Sequence, residues 1–476
     1  MGYTEKIVVV GAGISGLACA YRLKQLGLCP LVLEAAEKPG GLVSTIRKNG
    51  HLFETGPQFP RFPAALWGLV RELGLESEFV AGNPKANRYI FRIGHLHPAP
   101  FSPAGLISSR LVGIKSKYRI LTEVFHKSQA PLDEESLAQF VERKFGSEVL
   151  DNLVDPVVAT IFFGDSEKMG MASAFPDLVK WEQTDGSLVR GALRSRRSKN
   201  VVAAHADINP ERKGNVEKLR VTDQLPTLGS FVRGMGTLTE ALAEDLGEQI
   251  QYRVVATSLS QSAAEAGQQN QFWEIELSSG AKIQSENVVL ATPAFVSSQL
   301  LQTSSPGLAL QLSEIEYAAA CVVCCVYDRS QIRNSLDGFG FMVPRREGLN
   351  TICTFWNSSL FAGRAPEGKV LITSFAASRD GHDIFAVPEE RCAQMIHNEN
   401  AAILGIRDQP TDWLVWRDAR ALPQYNVGHK QRIEQIHRNQ AQRLSLIGNY
   451  LKGRSLGECV QLAFECAEEL YGRFQN

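Results

Sequence analysis

The sequence predicts an α/β protein whose N-terminal segment forms a β-strand, a glycine turn, a helix and a second β-strand. The first strand is indicated by the apolar, β-branched run Ile7–Val10, and a helical stretch runs from Leu17 to Leu26. The second strand is Leu31–Leu33, and it ends at Glu34. Strands and helices that alternate in this way are typical of a sheet with helices packed on its faces.

The glycine turn carries the motif Gly11-Ala12-Gly13-Ile14-Ser15-Gly16, which has the GxGxxG spacing of dinucleotide-binding turns. Gly11 permits the tight turn, Gly13 lets the backbone approach a pyrophosphate, and Gly16 allows close packing of helix on strand. The N-terminus of the helix directs free N–H groups and a positive dipole end at the phosphates. Glu34 follows where an acid can hydrogen-bond the ribose hydroxyls. The motif alone is common, but with both strands, the helix and the acid it predicts a dinucleotide site.

The composition is that of an ordinary soluble globular protein and argues against several classes. With 476 residues the chain has room for two or three domains, and a net charge of −1 gives no overall field for nucleic acid. Nine cysteines are scattered without a Cys/His set that could complete a metal site, which predicts buried thiols and no metal site. No apolar run has the length of a membrane span. Because the first strand begins at Ile7, we expect no signal or transit peptide and a cytoplasmic location.

The segment 83–122 contains no Asp or Glu, although it is rich in positive charge. Its basic residues alternate with apolar ones such as Phe101, Ile107 and Ile114. A basic, partly apolar stretch suits a membrane surface with anionic lipid. The alternative is a solvated helix that covers a substrate domain, and the sequence leaves both interpretations open.

Further elements follow from hydrophobic periodicity and from turn residues. We expect amphipathic helices over Ala64–Leu73 and Pro131–Phe145 and a helix over Thr239–Leu246. The polar, basic stretch 190–222 predicts a long, mobile connection. Strands are expected at Trp273–Leu277, Val288–Pro293 (with its turn) and Cys321–Tyr327.

The C-terminal segment repeats the logic of the N-terminal one. A strand, Leu444–Ile447, leads into the loop Gly448–Gly453, and Ser455-Leu456-Gly457 then opens a helix that continues to Leu470. A helix N-terminus would stabilise a reduced flavin, which carries negative charge near N1 and C2=O. A bare helix start would more often be structural, but the dinucleotide motif favours the flavin interpretation.

These parts, in their order along the chain, resemble the two-domain FAD oxidases of the amine oxidase and glutathione reductase-like group. Within that group the chain resembles the oxygen-dependent protoporphyrinogen oxidases, from Lys6 to about Leu470. The segments that carry this resemblance are Asn87-Arg88-Tyr89, Gly94–Pro98, Phe175–Leu178, Gly338–Pro344, Leu422–His429 and the tail Gly448–Val460.

The resemblance implies a fold and a set of contact residues. It implies a Rossmann-type FAD-binding domain formed by residues 1–82, 226–297 and 411–476, a mainly helical and membrane-associated insertion over 83–225, and a substrate-binding domain over 298–410. The implied contacts of non-covalent FAD are Gly11, Gly13, Ile14, Ser15, Gly16, Glu34, Ala35, Gly40, Gly41, Leu42, Gly56, Pro57, Gln58, Phe59, Val255, Asn449, Arg454, Ser455 and Leu456.

The implied substrate contacts are Arg88, Phe339, Met342 and Phe355. In the family an arginine lies beside a propionate, and a guanidinium can bind a carboxylate with two hydrogen bonds. The apolar side chains can sandwich a flexible tetrapyrrole. The simpler interpretations are a surface arginine for Arg88, core aromatics for the ring residues and a core valine for Val255.

The chain departs from the family pattern at two places. Thr160 and Phe163 replace two small residues of a turn that lines the substrate pocket in the family, so we expect a tighter pocket wall. Arg454 occupies a position where a valine is usual, which places a cation near the flavin or at the surface.

The activity implied by the resemblance is the oxidation of protoporphyrinogen IX to protoporphyrin IX in haem biosynthesis, with O2 as acceptor and H2O2 as product. No nucleophile–base pair is found, so no acid–base residue is assigned and the flavin is the redox centre. The alternatives are a coproporphyrinogen III oxidase of the same family, an FAD-dependent amine oxidase, and a non-enzymatic flavoprotein that binds tetrapyrrole. Candidate partners besides porphyrinogen and O2 are a membrane surface on its cytoplasmic face, a downstream chelatase and a second copy of the chain.

Overall fold

The computed structural model describes residues 4–83, 85–125, 134–195, 228–261, 272–379, 383–452 and 455–475. Within these residues the chain forms two seven-stranded sheets and two small two-stranded sheets, with helices around them. The predicted mixed α/β fold is therefore confirmed. None of the helices in these ranges combines the length and the apolar character that crossing a bilayer requires.

The first sheet contains the predicted N-terminal unit. Thr4–Val10 pairs in parallel with Leu31–Glu34, and the helix Ile14–Gln25 connects them. Because successive side chains of a strand point to opposite faces, Ile7 and Val9 face one helical layer while their neighbours face another. From one edge to the other, the strands are Ala256–Gln261, Trp273–Leu277, Lys282–Leu290, Thr4–Val10, Leu31–Glu34 and Ile250–Tyr252, with Leu444–Leu446 beside Lys282–Leu290.

Helices cover both faces of the first sheet. One layer packs against Ile7 and Val9, and its helices are Ile14–Gln25, Ala64–Glu72, Gly236–Leu246 and Leu456–Gln475. The other layer consists of Ala294–Leu301, Pro306–Ser313 and His429–Arg438. The predicted amphipathic helix from Ala64 buries Leu66, Leu69 and Val70, as expected from their spacing.

The second sheet is mainly antiparallel. Its strand order is Asp412–Pro423, Tyr317–Asp328, Lys369–Ala376, Thr351–Phe355, Gly340–Met342, Arg88–Arg92 and His95–Pro98. The helix Glu389–Leu404 covers one face, where Cys321, Val323 and Cys325 are buried against it. The opposite face carries Met342 and Phe355, two of the expected substrate residues.

Sheet pairing differs at two places from the predicted domain division. The strands Arg88–Arg92 and His95–Pro98 fall within the range assigned to the helical insertion, but they extend the second sheet beside Gly340–Met342. Asp412–Pro423 falls within the range assigned to the FAD-binding domain, but it pairs with Tyr317–Asp328. Strand partners far apart in sequence are not visible in composition, so the boundaries at 83 and 411 miss these strands.

The mainly helical part lies between residues 103 and 195, and its helices are Pro103–Ser108, Ile114–Leu121, Leu137–Lys144, Ser147–Val149, Leu150–Val154, Asp155–Phe162, Met171–Ala174 and Pro176–Asp185. The helix that we expected from Pro131 begins only at Leu137, because Ser136 and Gln139 form a capping box at its N-terminus. Residues 188–195 are helical, and the rest of the predicted connection over 190–222 lies outside the described residues.

Short elements connect the larger ones. The two small sheets pair Thr45–Lys48 with His51–Glu54 and Phe79–Ala81 with Gly229–Phe231. Single helical turns are Glu76–Glu78, Glu123–Phe125, Gly247–Gln249, Arg329–Gln331, Arg345–Glu347 and Asn357–Leu360.

A buried ion pair joins the region of the first sheet to the loop that precedes the strand Lys369–Ala376 of the second sheet. Arg364 Nη1 lies 3.3 Å from Glu54 Oε1, and both side chains are only 2% exposed. The Glu54 carboxylate also accepts hydrogen bonds from Thr45 Oγ1 and the Met235 N–H. Burial raises the pKa of Glu54, and Arg364 opposes this shift. A buried pair of this kind is costly to break, because either partner alone would be an uncompensated charge.

Candidate active site

The glycine turn has the geometry that its motif predicts. Gly11 has a φ of +103°, which favours glycine. A Cβ added to Gly16 would lie 1.9 Å from the carbonyl oxygen of Gly11, so only glycine lets the helix pack this closely. Gly13 differs, because its φ is −70° and an added Cβ would meet no atom within 4 Å. The space beside Gly13 is therefore open.

Glu34 and a second pair of glycines surround this open space. The Glu34 carboxylate accepts hydrogen bonds from the N–H groups of Ala12 (2.6 Å) and Ala36 (2.8 Å). The Gly40 N–H donates to the Ala12 carbonyl at 2.8 Å, and Gly13 forms a bridge with Gly40. Gly41 lies beside Gly13, since a Cβ on Gly41 would be 3.5 Å from the Gly13 Cα. We call these residues, Gly11–Gly16 with Glu34, Gly40 and Gly41, the glycine cradle.

The glycine cradle fits the diphosphate of a dinucleotide. The helix Ile14–Gln25 starts at Gly13 with no side-chain cap, although Ile14 and Ser15 are buried. Uncapped N–H groups at a helix start form an anion site, and the helix dipole favours negative charge there. The carboxylate of Glu34 is held on one side by main-chain donors and retains lone pairs for hydroxyl groups.

Expected cofactor residues from two other segments, Leu42 with Gly56 and Leu456, lie near the glycine cradle. A Cβ on Gly56 would lie 1.9 Å from the Leu42 carbonyl oxygen, so the segment after the strand His51–Glu54 passes close to Leu42. The buried Leu456 packs in the same cluster as Ile14. Ser455 caps the C-terminal helix, because its hydroxyl donates to Glu458 Oε2 at 2.7 Å and accepts from the Glu458 N–H.

Other expected cofactor residues have more specific surroundings. The Asn449 carbonyl accepts a hydrogen bond from the Tyr425 hydroxyl. The Val254 N–H donates to the Glu34 carbonyl at 2.9 Å, which brings Val255 close to the acid. Val255 is 41% exposed, so the alternative interpretation as a core valine is wrong. Ala35 is exposed beside it. Arg454 lies outside the described residues.

Gln58 is the expected cofactor residue whose side chain is engaged elsewhere. Its Nε2 donates to the carbonyls of Glu54 and Gly56, both at 3.1 Å, and its Oε1 accepts from Asn357 Nδ2 at 2.8 Å. The amide therefore fixes the loop that carries Pro57 and Phe59. Any contact of Gln58 with a cofactor would have to come from its main chain.

Phe59 connects the expected cofactor residues to the expected substrate residues. Its ring makes edge contacts with Phe339 at 5.1 Å and with Phe355 at 4.7 Å between centroids. Phe355 contacts Phe375 at 5.4 Å, and Phe375 contacts Phe163 at 5.0 Å. Met342 packs in the cluster of Phe355. We call Phe163, Phe375, Phe355, Phe59 and Phe339 the aromatic chain.

Arg88 lies at one end of the aromatic chain. Its guanidinium carbon is 4.1 Å from the centroid of Phe339 and 5.6 Å from that of Phe101, which is cation–π geometry. Burial lowers the pKa of Arg88, and the neighbouring cation Arg61 adds to the shift. Arg88 pairs with no carboxylate in the described part of the chain. A half-buried guanidinium without an anion is prepared to receive one from a ligand.

Sequence reasoning missed Phe375, Arg61 and the contact of Tyr425 with Asn449. Phe375 lies on a strand of almost continuous burial, so nothing in its pattern separates it from the core. Tyr425 lies in Leu422–His429, one of the segments that carry the resemblance to the family. This position could have marked Tyr425 as a candidate site residue. Phe163 contacts Phe375 of the aromatic chain, while the Thr160 hydroxyl donates to the Pro156 carbonyl within its own helix.

Comparison with known proteins decides the family. The model of the flavin-containing amine oxidoreductase family matches residues 14–470. The chain belongs to this family. It is an FAD-dependent oxidoreductase, and the glycine cradle fits that cofactor.

The curated proteins that are similar to this chain include porphyrinogen oxidases. The chain is 30% identical to the chloroplastic protoporphyrinogen oxidase of Nicotiana tabacum over 483 residues, which are 98% of this chain and 85% of that protein. It is 31% identical to protoporphyrinogen oxidase 1 of Arabidopsis thaliana, with 98% and 88% covered. The coproporphyrinogen III oxidase of Bacillus subtilis (strain 168) is 25% identical, with 95% and 93% covered.

Solved structures support the fold. A structure named as a protoporphyrinogen oxidase from Exiguobacterium sp. 255-15 has a TM-score of 0.78 at 23% identity, with 99% of this chain and 100% of that chain covered. A triple mutant of putrescine oxidase has a TM-score of 0.70 at 15% identity, with 99% of both chains covered. At these identities the likeness concerns the fold alone.

Proposed function

We propose that the protein oxidises protoporphyrinogen IX to protoporphyrin IX, with three O2 reduced to three H2O2, as a step of haem biosynthesis. The observation that carries the proposal is the aromatic chain, which includes Phe59 of the cofactor loop and ends at Arg88, a cation without a carboxylate partner in the described residues. A ring-lined surface with a cation at one end complements a tetrapyrrole whose carboxylates lie on one side. The names of the relatives point to the same substrate class.

The glycine cradle, Gly56 to Phe59, Val255 and the loop at Asn449 would hold non-covalent FAD, which supplies a two-electron acceptor that O2 can reoxidise. Arg88 would bind a propionate and so set the orientation of the macrocycle. Phe339, Phe355 and Met342 would fix its plane and exclude water from the reacting methylene bridge. Substrate orientation is thus assigned to these residues, and no side chain is given the role of base.

The test is an assay of purified holoenzyme with protoporphyrinogen IX, coproporphyrinogen III and a primary amine. Porphyrin fluorescence and O2 uptake would be followed together, because three O2 are consumed for each protoporphyrin formed. We expect the highest kcat/KM with protoporphyrinogen IX. Activity with the amine alone would contradict the proposal. Binding of porphyrin without flavin reoxidation would favour a non-enzymatic carrier instead.

Coproporphyrinogen III oxidation is the second candidate, and Arg61 favours it. This exposed arginine lies within electrostatic reach of Arg88, so two cations lie near each other at this end of the aromatic chain. Coproporphyrinogen carries four propionates, which would use a second cation. Arg61→Gln should lower kcat/KM for the tetracarboxylate more than for the dicarboxylate if both arginines bind carboxylates.

The proposal includes peripheral attachment to a membrane, at its cytoplasmic face, through residues 93–125. Large apolar side chains are exposed there, including Ile114 (85%) and Phe125 (78%). The others are Ile93, Phe101, Ile107, Tyr118 and Leu121. Lys115 and Arg119 lie among them and would meet anionic headgroups. An apolar surface with basic neighbours is typical of interfacial binding.

Flotation with anionic vesicles at low and high salt tests this attachment. We expect co-flotation at low salt that weakens at high salt, because part of the attraction is electrostatic. Ile114→Ser with Phe125→Ser should abolish flotation, whereas Leu310→Ser, another exposed apolar residue at a distant helix, should not. An unchanged double variant would show that residues 93–125 form only a solvated lid.

A further inference from the structure

Two cysteines that the proposed chemistry does not use lie together beneath the second sheet. The Sγ atoms of Cys321 and Cys392 are 3.7 Å apart, and both side chains are fully buried. Cys321 belongs to the strand Tyr317–Asp328, and Cys392 lies in the first turns of the helix Glu389–Leu404 that covers this face. A disulfide bond is about 2.0 Å long, so the sulfurs would have to approach each other by about 1.7 Å.

Arg417 supplies a positive charge beside this pair. It lies directly opposite Cys321 on the edge strand Asp412–Pro423. Its Nε and Nη2 atoms are buried and have no acceptor among the described residues, although the side chain as a whole is only half-buried. A buried guanidinium N–H without an acceptor is costly, and a thiolate would provide the missing acceptor.

Other charged groups around the pair act in both directions. The N-terminal end of the helix favours a negative charge on Cys392, whereas Glu389 and Glu390 in its first turn oppose it. Asp383 lies within electrostatic reach of Arg417 and partly offsets its charge. The Cys321 thiol, as hydrogen-bond donor, and then Arg417 lower the pKa of Cys392, while burial raises it.

We propose that Cys321 and Cys392 form a peroxide-reactive dithiol site, in which Cys392 is the attacking thiolate and Cys321 the resolving thiol. In the first step Cys392 S⁻ attacks H2O2, the O–O bond breaks, and a proton completes sulfenic acid and water. In the second step the Cys321 sulfur attacks the sulfenic sulfur, a disulfide forms, and a second water leaves. The dithiol loses two electrons and H2O2 gains them.

The dithiol would be oxidised by the H2O2 that the enzyme itself produces. H2O2 is the product of the proposed oxidase reaction, and this link rests on the proposed function. Peroxide is nearly as small as water, and Arg417 beside the pair is half-buried on a strand at the edge of the sheet. The disulfide would tie the helix Glu389–Leu404 to the sheet that carries the substrate residues on its other face.

The experiment uses holoenzyme treated with added H2O2 at pH 7. The protein is then unfolded in denaturant with N-ethylmaleimide present to block free thiols, disulfides are reduced and labelled with a second reagent, and peptides are quantified by mass spectrometry. We expect Cys321 and Cys392 to acquire the second label together. Cys392→Ser should abolish that label on Cys321. Blocking of both thiols by the first reagent at every peroxide dose would overturn the proposal.

Two comparisons separate the role of Arg417 from simple proximity. Arg417→Gln should slow the oxidation about tenfold, and Arg417→Lys should restore most of the rate, because a thiolate needs a cation and not a particular shape. Cys19 and Cys466 form a second buried pair, where the charge of the nearby Arg473 is offset by its partner Glu469, and they should oxidise more slowly. Equal rates for both pairs, or for Arg417→Gln and wild type, would overturn the assignment of Arg417.

A second arm tests the link to turnover. Holoenzyme that oxidises protoporphyrinogen IX in air should accumulate the disulfide, and catalase should prevent it. Oxidation by added H2O2 without any during turnover would contradict the link alone. If no porphyrinogen were oxidised, the proposed function would be wrong. The experiment with added H2O2 would still test whether Cys321 and Cys392 form a disulfide.

Discussion

The glycine cradle and the aromatic chain are adjacent, but they are built in different ways. Apart from the Glu34 carboxylate, the cradle consists of main-chain groups from the first 41 residues, joined by hydrogen bonds such as Gly40 N–H to Ala12 C=O. The aromatic chain consists of side chains from five separate segments, brought together by pairing in the second sheet. A site made of backbone needs the right conformation, whereas a site made of side chains needs the right neighbours.

The two regions should therefore fail in opposite ways. Added volume should damage the cradle, because its use depends on open space beside the backbone. Loss of a side chain should damage the aromatic chain, because its use depends on rings and one charge. Substitutions at each region, and at the contact between them, test this difference.

The largest effect is expected for Gly13→Val in the cradle. The φ of −70° accepts a valine, and the added atoms enter the open space where the diphosphate would lie. FAD binding should weaken roughly a thousandfold, about 4 kcal/mol, and leave a folded, colourless protein. Gly68→Ala is the control, because its added Cβ also meets nothing within 4 Å but lies on an outer helix. Stoichiometric flavin in folded Gly13→Val would contradict the cradle.

The next effect concerns His429, which stacks on Tyr425 with 4.5 Å between ring centroids, and Tyr425 contacts the loop at Asn449. Burial, with a smaller effect of Arg432, lowers the pKa of His429 to about 4. Between about pH 6.5 and 4 the unfolded chain binds a proton that the folded chain does not. The free energy of unfolding should therefore fall by about 3 kcal/mol as pH falls through this range.

His429→Gln should remove this part of the acid sensitivity. Denaturant unfolding from pH 7 to pH 4 would be compared for wild type, His429→Gln and His437→Gln, an exposed histidine on the same helix. We expect a flatter pH dependence for the first variant alone. Parallel curves for all three proteins would show that His429 titrates normally.

Arg88→Gln tests the end of the aromatic chain. The variant should lose about 1–3 kcal/mol of transition-state binding to protoporphyrinogen IX, mostly as a higher KM, because a charge-assisted hydrogen bond to a propionate is lost. FAD content should stay unchanged. Arg71→Gln is the matched control, since this exposed arginine pairs with Glu76 far from the rings. An unchanged kcat/KM for Arg88→Gln would remove Arg88 from the substrate site.

The smallest effect is expected for Tyr425→Phe, which removes the hydroxyl that donates to the Asn449 carbonyl. If this contact positions the C-terminal loop against FAD, binding should weaken by about 1 kcal/mol, roughly fivefold. Reconstitution of the apoprotein, followed by flavin fluorescence, measures the change. Tyr118→Phe alters an exposed tyrosine and should have no effect. Equal FAD affinity in both variants would separate Tyr425 from the cofactor.

The predictability of the two regions differs for the same physical reason. The cradle was predicted from local spacing, and its helix differs from the prediction mainly at the start, because Ile14–Gly16 already belong to the helix. The strand Trp273–Leu277 was predicted with its observed bounds, since alternation of burial is a local signal. Tyr317–Asp328 is longer than expected at both ends, where its residues are only partly buried.

The second sheet could not be derived from local signals. Arg88–Arg92 pairs with Gly340–Met342, about 250 residues away. Nothing in the sequence of either strand indicates which strand it pairs with. Asp412–Pro423 is an edge strand with mixed polarity, so it has no clear apolar pattern. Likewise, the amide of Gln58 predicts a hydrogen bond, but the sequence does not show that Asn357 is the partner. The resemblance supplied Phe339 and Phe355, whereas their contact with Phe59 depends on tertiary packing.

The participation of the last strand and helix in the first sheet has a consequence for biosynthesis. Leu444–Leu446 completes the edge beside Lys282–Leu290, and Leu456–Gln475 packs directly on Ile14–Gln25. While the chain is on the ribosome, the part of its first helix that Leu456–Gln475 covers stays exposed until that helix emerges, although Ala64–Glu72 and Gly236–Leu246 are made earlier. At 5–20 residues per second this takes about half a minute or more after the first helix is made. A nascent chain of this kind is expected to need a chaperone at its N-terminal helix until translation ends.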